Sequence, residues 1–240
     1  MIEPVLKDDS FLADVQAARR DDGHFRLWWI EPARLDFIDI VTASHAHTDH
    51  LDPETLRPLA RVNRGLSLVI PEASRSPARE RSGLADTSIL GLSDGESATL
   101  GEFRFSAIAS AHERLENDSA GHALYLGYVV QFGPWTLYHS GDTVLYDGMV
   151  EKLRRFAIDV ALLPINGRCA ERGVAGNLNA REAVWLARQA GVRTVIPCHY
   201  EMFAFNTADP AEFTSLAGEA GQPSEVLRCG QRWNSRSQLA

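Results

Sequence analysis

The chain has 240 residues, enough for one α/β domain across 1–240, and its 45% hydrophobic and 23% charged content is that of a globular protein rather than a disordered one. With 24 basic against 32 acidic residues the net charge is −8, which argues against wholesale nucleic-acid or anionic-membrane binding and leaves only a local basic pocket open. No apolar run is long enough to span a bilayer, the acidic start Met1–Ser10 lacks the basic and apolar regions of a signal peptide, and three cysteines without a C-x-x-C pair suit a reducing cytoplasm.

Asp8 to Arg20 carries apolar residues at helical spacing, and Phe25 to Ile30 and Phe37 to Ala43 read as strands. Asp52 before Pro53 is an N-cap signal, opening a helix to about Ala60. The apolar segment Leu66–Ile70 reads as a strand, followed by a polar helix over Glu72–Arg81. Strands are then expected over Ser88–Leu92, Phe103–Ala109, Leu124–Phe132 and Trp135–Tyr138, the last two joined through Gly133-Pro134 as a hairpin. A helix near Asp147–Arg155 comes next, then a strand Ile158–Leu163 and a helix Ala180–Gln189 capped by Asn179. A strand Thr194–Ile196, a helix Pro210–Ala217 and a last strand Glu225–Leu227 complete the pattern. Clustered strands followed by strand–helix alternation suggest a layered α/β architecture with both sheet faces partly covered.

The histidines are not evenly spread. His45, His47 and His50 sit with Asp49 inside six residues, and imidazole with carboxylate suits zinc, manganese or iron. An extended segment points His45 and His47 to one side, while Asp49 and His50, adjacent at a turn, can face a second ion. Position adds to composition. His45, His112, Asp142 and His199 each follow just after an expected strand, so strands ending at one edge would bring them to one rim.

His-x-His-x-Asp-His, a lone His112, Ser140-Gly141-Asp142-Thr143 and the late His199 together resemble the metallo-β-lactamase superfamily. Tyr138-His139-Ser140-Gly141-Asp142, Ile158–Leu162 and Val195-Ile196-Pro197-Cys198-His199 are similar to its L-ascorbate-6-phosphate lactonase-like branch. The resemblance runs from Phe37 to about Phe213 and implies the αβ/βα sandwich, two packed sheets with helices outside. It implies two divalent ions, zinc or manganese with iron as an alternative. His45, His47 and His112 would hold the first, Asp49, His50 and His199 the second, and Asp142 would bridge them. A hydroxide from water shared by the ions would attack an ester-type bond, best a lactone of a phosphorylated sugar acid, with Asp49 and Asp142 as the catalytic carboxylates. The other readings are phosphodiester hydrolysis, on nucleotides or phospholipids, and metal binding without turnover. The partner expected is a small anionic substrate, with no membrane or nucleic acid, and self-association into a homo-oligomer is open.

Other residues carry weaker signals. Arg168 follows a strand in a glycine loop, where a guanidinium could clasp a phosphate or simply meet solvent. Tyr200 and Asn206 lie just beyond His199 and are candidates to line the pocket. His139 either supports the metal loop or packs in the core, and His122 reads as a loop histidine; Cys198 should point away from the ligands in an extended segment. One feature departs from the family. Relatives place a strand, a glycine turn and a second strand before the histidine motif, whereas here Leu27–Ile30 runs directly into Glu31-Pro32, so the N-terminal hairpin is expected to be missing.

Overall fold

A computed structural model describes residues 30–173, 175–201, 206–228, 231 and 233. The expected helix over Asp8–Arg20 and all but the last residue of the expected strand Phe25–Ile30 lie outside them, as does His24. Two sheets form the frame. The smaller is parallel and runs β1 (Ile40–Thr42), β2 (Ser67–Pro71), β3 (Ile89–Leu92). The larger has six strands in sequence order: β4 (Ser97–Leu100), β5 (Phe103–Ala109), β6 (Leu126–Phe132), β7 (Trp135–His139), β8 (Val160–Pro164) and β9 (Thr194–Cys198). Its pairs are antiparallel from β4 to β7 and parallel from β7 to β9.

The strand pattern explains the layering. In β5 and β6 the alternate residues Phe105, Ala107, Ala109, Leu126 and Tyr128 turn toward the small sheet and bury against Val69 and Leu92. The Tyr128 hydroxyl donates to Ala43 O at 3.1 Å and Leu126 N to Ser44 O at 2.9 Å, so polar ties as well as apolar contact join the sheets. The opposite faces are covered by helices. Helices α1 (Pro53–Val62) and α2 (Arg75–Ser82) bury Leu56 and Ala78 with Leu68 and Ile70 of the small sheet. Helices α3 (Met149–Leu153), α4 (Ala180–Ala190) and α5 (Pro210–Ala220) pack Met149, Val184 and Phe213 with Val129, Ala161 and Val195 of the large one. The fold is therefore the expected sandwich with outer helices. The inner face of β7–β9, with Leu137, Val160, Leu162 and Ile196, meets Leu227 and Trp233 among the described residues.

The helix starts follow their caps. Asp52 accepts from Glu54 N and Thr55 N with Pro53 at the first helical position, and Asn179 forms a reciprocal capping box with Glu182. Gly133, at φ +50, opens the β6–β7 hairpin as a II′ turn requires. Two expectations differ. Strand β4, with its Ser/Thr-rich, alternately exposed pattern, was not expected; it is hydrogen-bonded to β5 in register Ser97↔Ser106 to Leu100↔Phe103. Glu225–Leu227 is not a strand: Val195 N reaches Pro223 O and Glu225 N reaches Val195 O, a single bridge without a ladder. No helix among the described residues is long and apolar enough to cross a membrane.

Candidate metal centre

The loops after β1, β5, β7 and β9 leave the sheets at one end and carry the seven candidate ligands into two adjoining groups. His45, His47 and His112 form one, and Asp49, His50, Asp142 and His199 the other, with donor atoms in each within 4.8 Å of one another. In the first, His45 Nε2 lies 2.9 Å from His47 Nδ1, and the His112 ring stands 5.4 and 5.2 Å from theirs. In the second, Asp142 Oδ1 lies 3.3 Å from His50 Nε2 and Asp142 Oδ2 3.4 Å from His199 Nε2, with Asp49 Oδ2 3.5 Å from His50 Nε2. Donors about 2.0–2.1 Å from a tetrahedral zinc stand roughly 3.4 Å apart, so this spacing fits a shared cation. Asp142 Oδ2 also lies 3.8 Å from His112 Nε2, which sets the one carboxylate between the groups.

Local sequence produces this arrangement. Gly141, at φ +61, makes the turn that aims Asp142, and a Cβ there would lie 2.5 Å from Ser44 Cβ and 2.9 Å from Leu126 O. His139 Nδ1 accepts from Gly141 N at 3.1 Å, so this histidine supports the turn that carries Asp142. His199 is held at φ +62, and Glu113 beside His112 at φ +76, both in the left-handed region that costs a non-glycine residue about 1–3 kcal/mol. Strain of this kind persists where surrounding structure overdetermines a site. Arg81 of α2 donates to Ala46 O and Leu51 O, and so clamps both ends of the histidine loop.

Burial and mutual charge set the protonation states. Burial, with His50 next to it, pushes His45 down to about 2, leaving the neutral imidazole that ligates metals. Burial likewise lowers His112. Burial works against the charge on Asp142, yet the facing His50 and His199 hold its carboxyl well below the usual range. For His50 and His199, burial is outweighed by Asp142 and both are raised. A dry carboxylate ringed by imidazoles draws positive charge, whether as protons or as cations.

The other candidates fall elsewhere. Arg168 stands on the loop after β8 with its guanidinium on Glu182, lining a cleft of about 320 Å³ with Asn166, Arg172 and Asp209. Asn206 is buried, accepting from Asn166 Nδ2 at 2.8 Å, and the Tyr200 hydroxyl donates to Leu227 O at 2.6 Å. His122 pairs with Asp118 at 3.2 Å inside the loop hairpin, and Cys198 belongs to neither donor group. Sequence reasoning missed two neighbours of the site. The Tyr125 ring lies 5.3 Å from both His45 and His112, and the Ser44 hydroxyl touches two candidate-ligand rings. Ser44 could have been found from its place beside His45; nothing local marked Tyr125.

Comparison with known proteins bears on the family and the fold. The family described as a beta-lactamase superfamily domain matches residues 15–200. Among curated relatives, a UPF0173 metal-dependent hydrolase of Pelotomaculum thermopropionicum is 32% identical over 193 residues, 78% of each chain. Another from Opitutus terrae is 31% identical over 197 residues, 80% of each chain. Among solved structures, an isothiocyanate hydrolase from Delia radicum gut bacteria superposes with TM-score 0.68 at 18% identity, covering 89% of this chain and 83% of that one. The metallo hydrolase Igni18 of Ignicoccus hospitalis gives 0.65 at 23% identity, covering 80% and 77%. At these identities the structures speak to the fold alone.

Proposed function

The chain belongs to the metallo-β-lactamase superfamily, in its UPF0173 metal-dependent hydrolase family, and we propose that it hydrolyses an ester-type bond with two divalent ions. The observation that carries the reading is Asp142, whose two oxygens face His50 on one side and His199 and His112 on the other. His45, His47 and His112 would hold one ion, Asp49, His50 and His199 the other, and Asp142 both. Zinc and manganese suit the donor set of imidazole and carboxylate, with iron as an alternative. When bound, such ions would supply Lewis-acid stabilisation and a water acidified to a pKa of about 7.

The chain's own groups supply the rest. Asp142 neutralises charge at the centre of the site without itself taking a proton, because its neighbours keep it ionised. Asp49, beside His50 and His199, would orient the attacking water or take its proton. For the substrate we favour a lactone of a phosphorylated sugar acid, supported by the Tyr138–Asp142 and Val195–His199 motifs. Arg168, which lines its cleft with Arg172, would meet the phosphate in exchange for Glu182, whereas Tyr200 and Asn206 are absent from that lining.

Elemental analysis of protein purified without added metal, paired with a panel of lactones and phosphodiesters, tests this. Two equivalents of metal with turnover of phosphorylated lactones is the expected result. Turnover confined to phosphodiesters would overturn the substrate, and two metals without any turnover would overturn the enzyme reading.

A further inference from the structure

We propose that Ser44 is a positioning residue shared by the two metal positions, its single hydroxyl orienting one imidazole ligand of each. The proposal rests on the metal-centre reading above. Ser44 is buried, and its Oγ lies 3.0 Å from His45 Nδ1 and 3.1 Å from His50 Nδ1. His45 belongs to one donor group and His50 to the other. On each ring the opposite nitrogen faces the group: His45 Nε2 meets His47 Nδ1 at 2.9 Å, and His50 Nε2 meets Asp142 Oδ1 at 3.3 Å. Ser44 therefore grips both rings from behind.

A hydroxyl oxygen has two lone pairs and so accepts two N–H donors at once. When both Nδ1–H groups donate to Oγ, both Nε2 atoms are bare, the form in which imidazole ligates a cation. If the hydroxyl instead donates to one ring, that neutral ring carries its proton on Nε2 and cannot ligate there. Ser44 is itself fixed, with its carbonyl bonded to Leu126 N and its Cβ packed beside Gly141. Among the other candidate ligands, His199 Nδ1 is buried without a hydrogen-bond partner, whereas His112 interacts with the Gly176 backbone. Ser44 Oγ thus contacts one ring of each group.

The test strips wild type and Ser44→Ala of metal and titrates each with Zn²⁺ against a chromophoric chelator, and with Co²⁺ by its visible absorption. Loss of an outer hydrogen-bond partner typically weakens metal binding about 10–100-fold, and here both binding steps should weaken by that factor, with altered Co²⁺ bands. Weakening at one step alone overturns the shared role. An unchanged isotherm with a lower melting temperature of the metal-free variant shows a purely structural serine. A second measurement needs no variant: with ¹⁵N-histidine and zinc, wild-type His45 and His50 should both carry exchange-protected protons on Nδ1. A bare Nδ1 on either ring overturns the proposal. Wild type that takes up no zinc would overturn the metal-centre reading itself, whereas normal uptake with an unaffected variant overturns this inference alone.

Discussion

Gly141 and Ser44 are in contact, so closely that a Cβ built on Gly141 would sit 2.5 Å from the Ser44 Cβ. Each residue immediately precedes a metal-ligand candidate, Asp142 and His45, so this contact sets the two candidate-ligand loops side by side. Gly141→Ala would combine the clash with a φ of +61 that disfavours a side chain. We expect a stability loss of about 2–4 kcal/mol from overpacking and backbone strain together, with weakened metal binding. Denaturant unfolding checks it, and a loss below about 1 kcal/mol would show that the loops accommodate the methyl group.

Asp142→Asn keeps the shape of the proposed bridging group and removes its charge. Metal content should fall from two equivalents toward one, and turnover by at least ~100-fold, as for loss of a major electrostatic contributor. His122→Ala should bind both metals normally, because His122 is tied to Asp118 in the loop hairpin. Normal turnover in Asp142→Asn would rule out the bridge.

Arg168→Ala should cost a phosphorylated substrate about 1.5 kcal/mol in kcat/KM, the lower end for a hydrogen bond to a charged group. The lower end is expected because Glu182 competes for the guanidinium. An unphosphorylated analogue should be unaffected. Equal losses on both would assign Arg168 to folding of its loop.

The metal-free protein should lose stability on acidification below pH 6.5. Burial holds His45 down to about 2 and His139 to about 4, whereas both titrate near 6.5 when unfolded. Between pH 4 and 6.5 the unfolded chain therefore binds more protons than the folded one, and stability rises with pH. The slope approaches about 1.4 kcal/mol per pH unit for each histidine. Urea unfolding of chelator-treated protein across this range is the measurement, and a flat profile would contradict it.

Among the described residues β1 is paired with β2 alone. If the N-terminal hairpin is missing at Ile30 and Glu31, the other edge of this small sheet is open, and open edges pair with other chains. Self-association is the expected outcome, reduced by inserting a relative's hairpin between those residues. Sedimentation of the unmodified protein as a stable monomer would count against it.

Much of this molecule was legible in the residue order. Helix starts at Asp52 and Asn179, the Gly133-Pro134 hairpin and the core-facing alternation of β5 are local effects, governed by a few adjacent side chains. Strand β4 was missed because Ser97–Leu100 has a weak apolar pattern and is held by pairing with β5. Glu225–Leu227 looked like a strand and is not: along the edge strand β9 its pairing is confined to the single bridge at Val195.

The donor inventory, from His45 to His199, was likewise written in the sequence, since ligand chemistry belongs to each side chain. What only the tertiary structure decided is how those donors divide and what aims them. Asp142 stands between the groups, Ser44 holds a ring of each, Arg81 clamps the histidine loop and Tyr125 lies against it. Such contacts join segments far apart in the chain, and no local periodicity encodes them. They arise from packing two twisted sheets face to face, which brings the loops at their shared end within hydrogen-bonding distance.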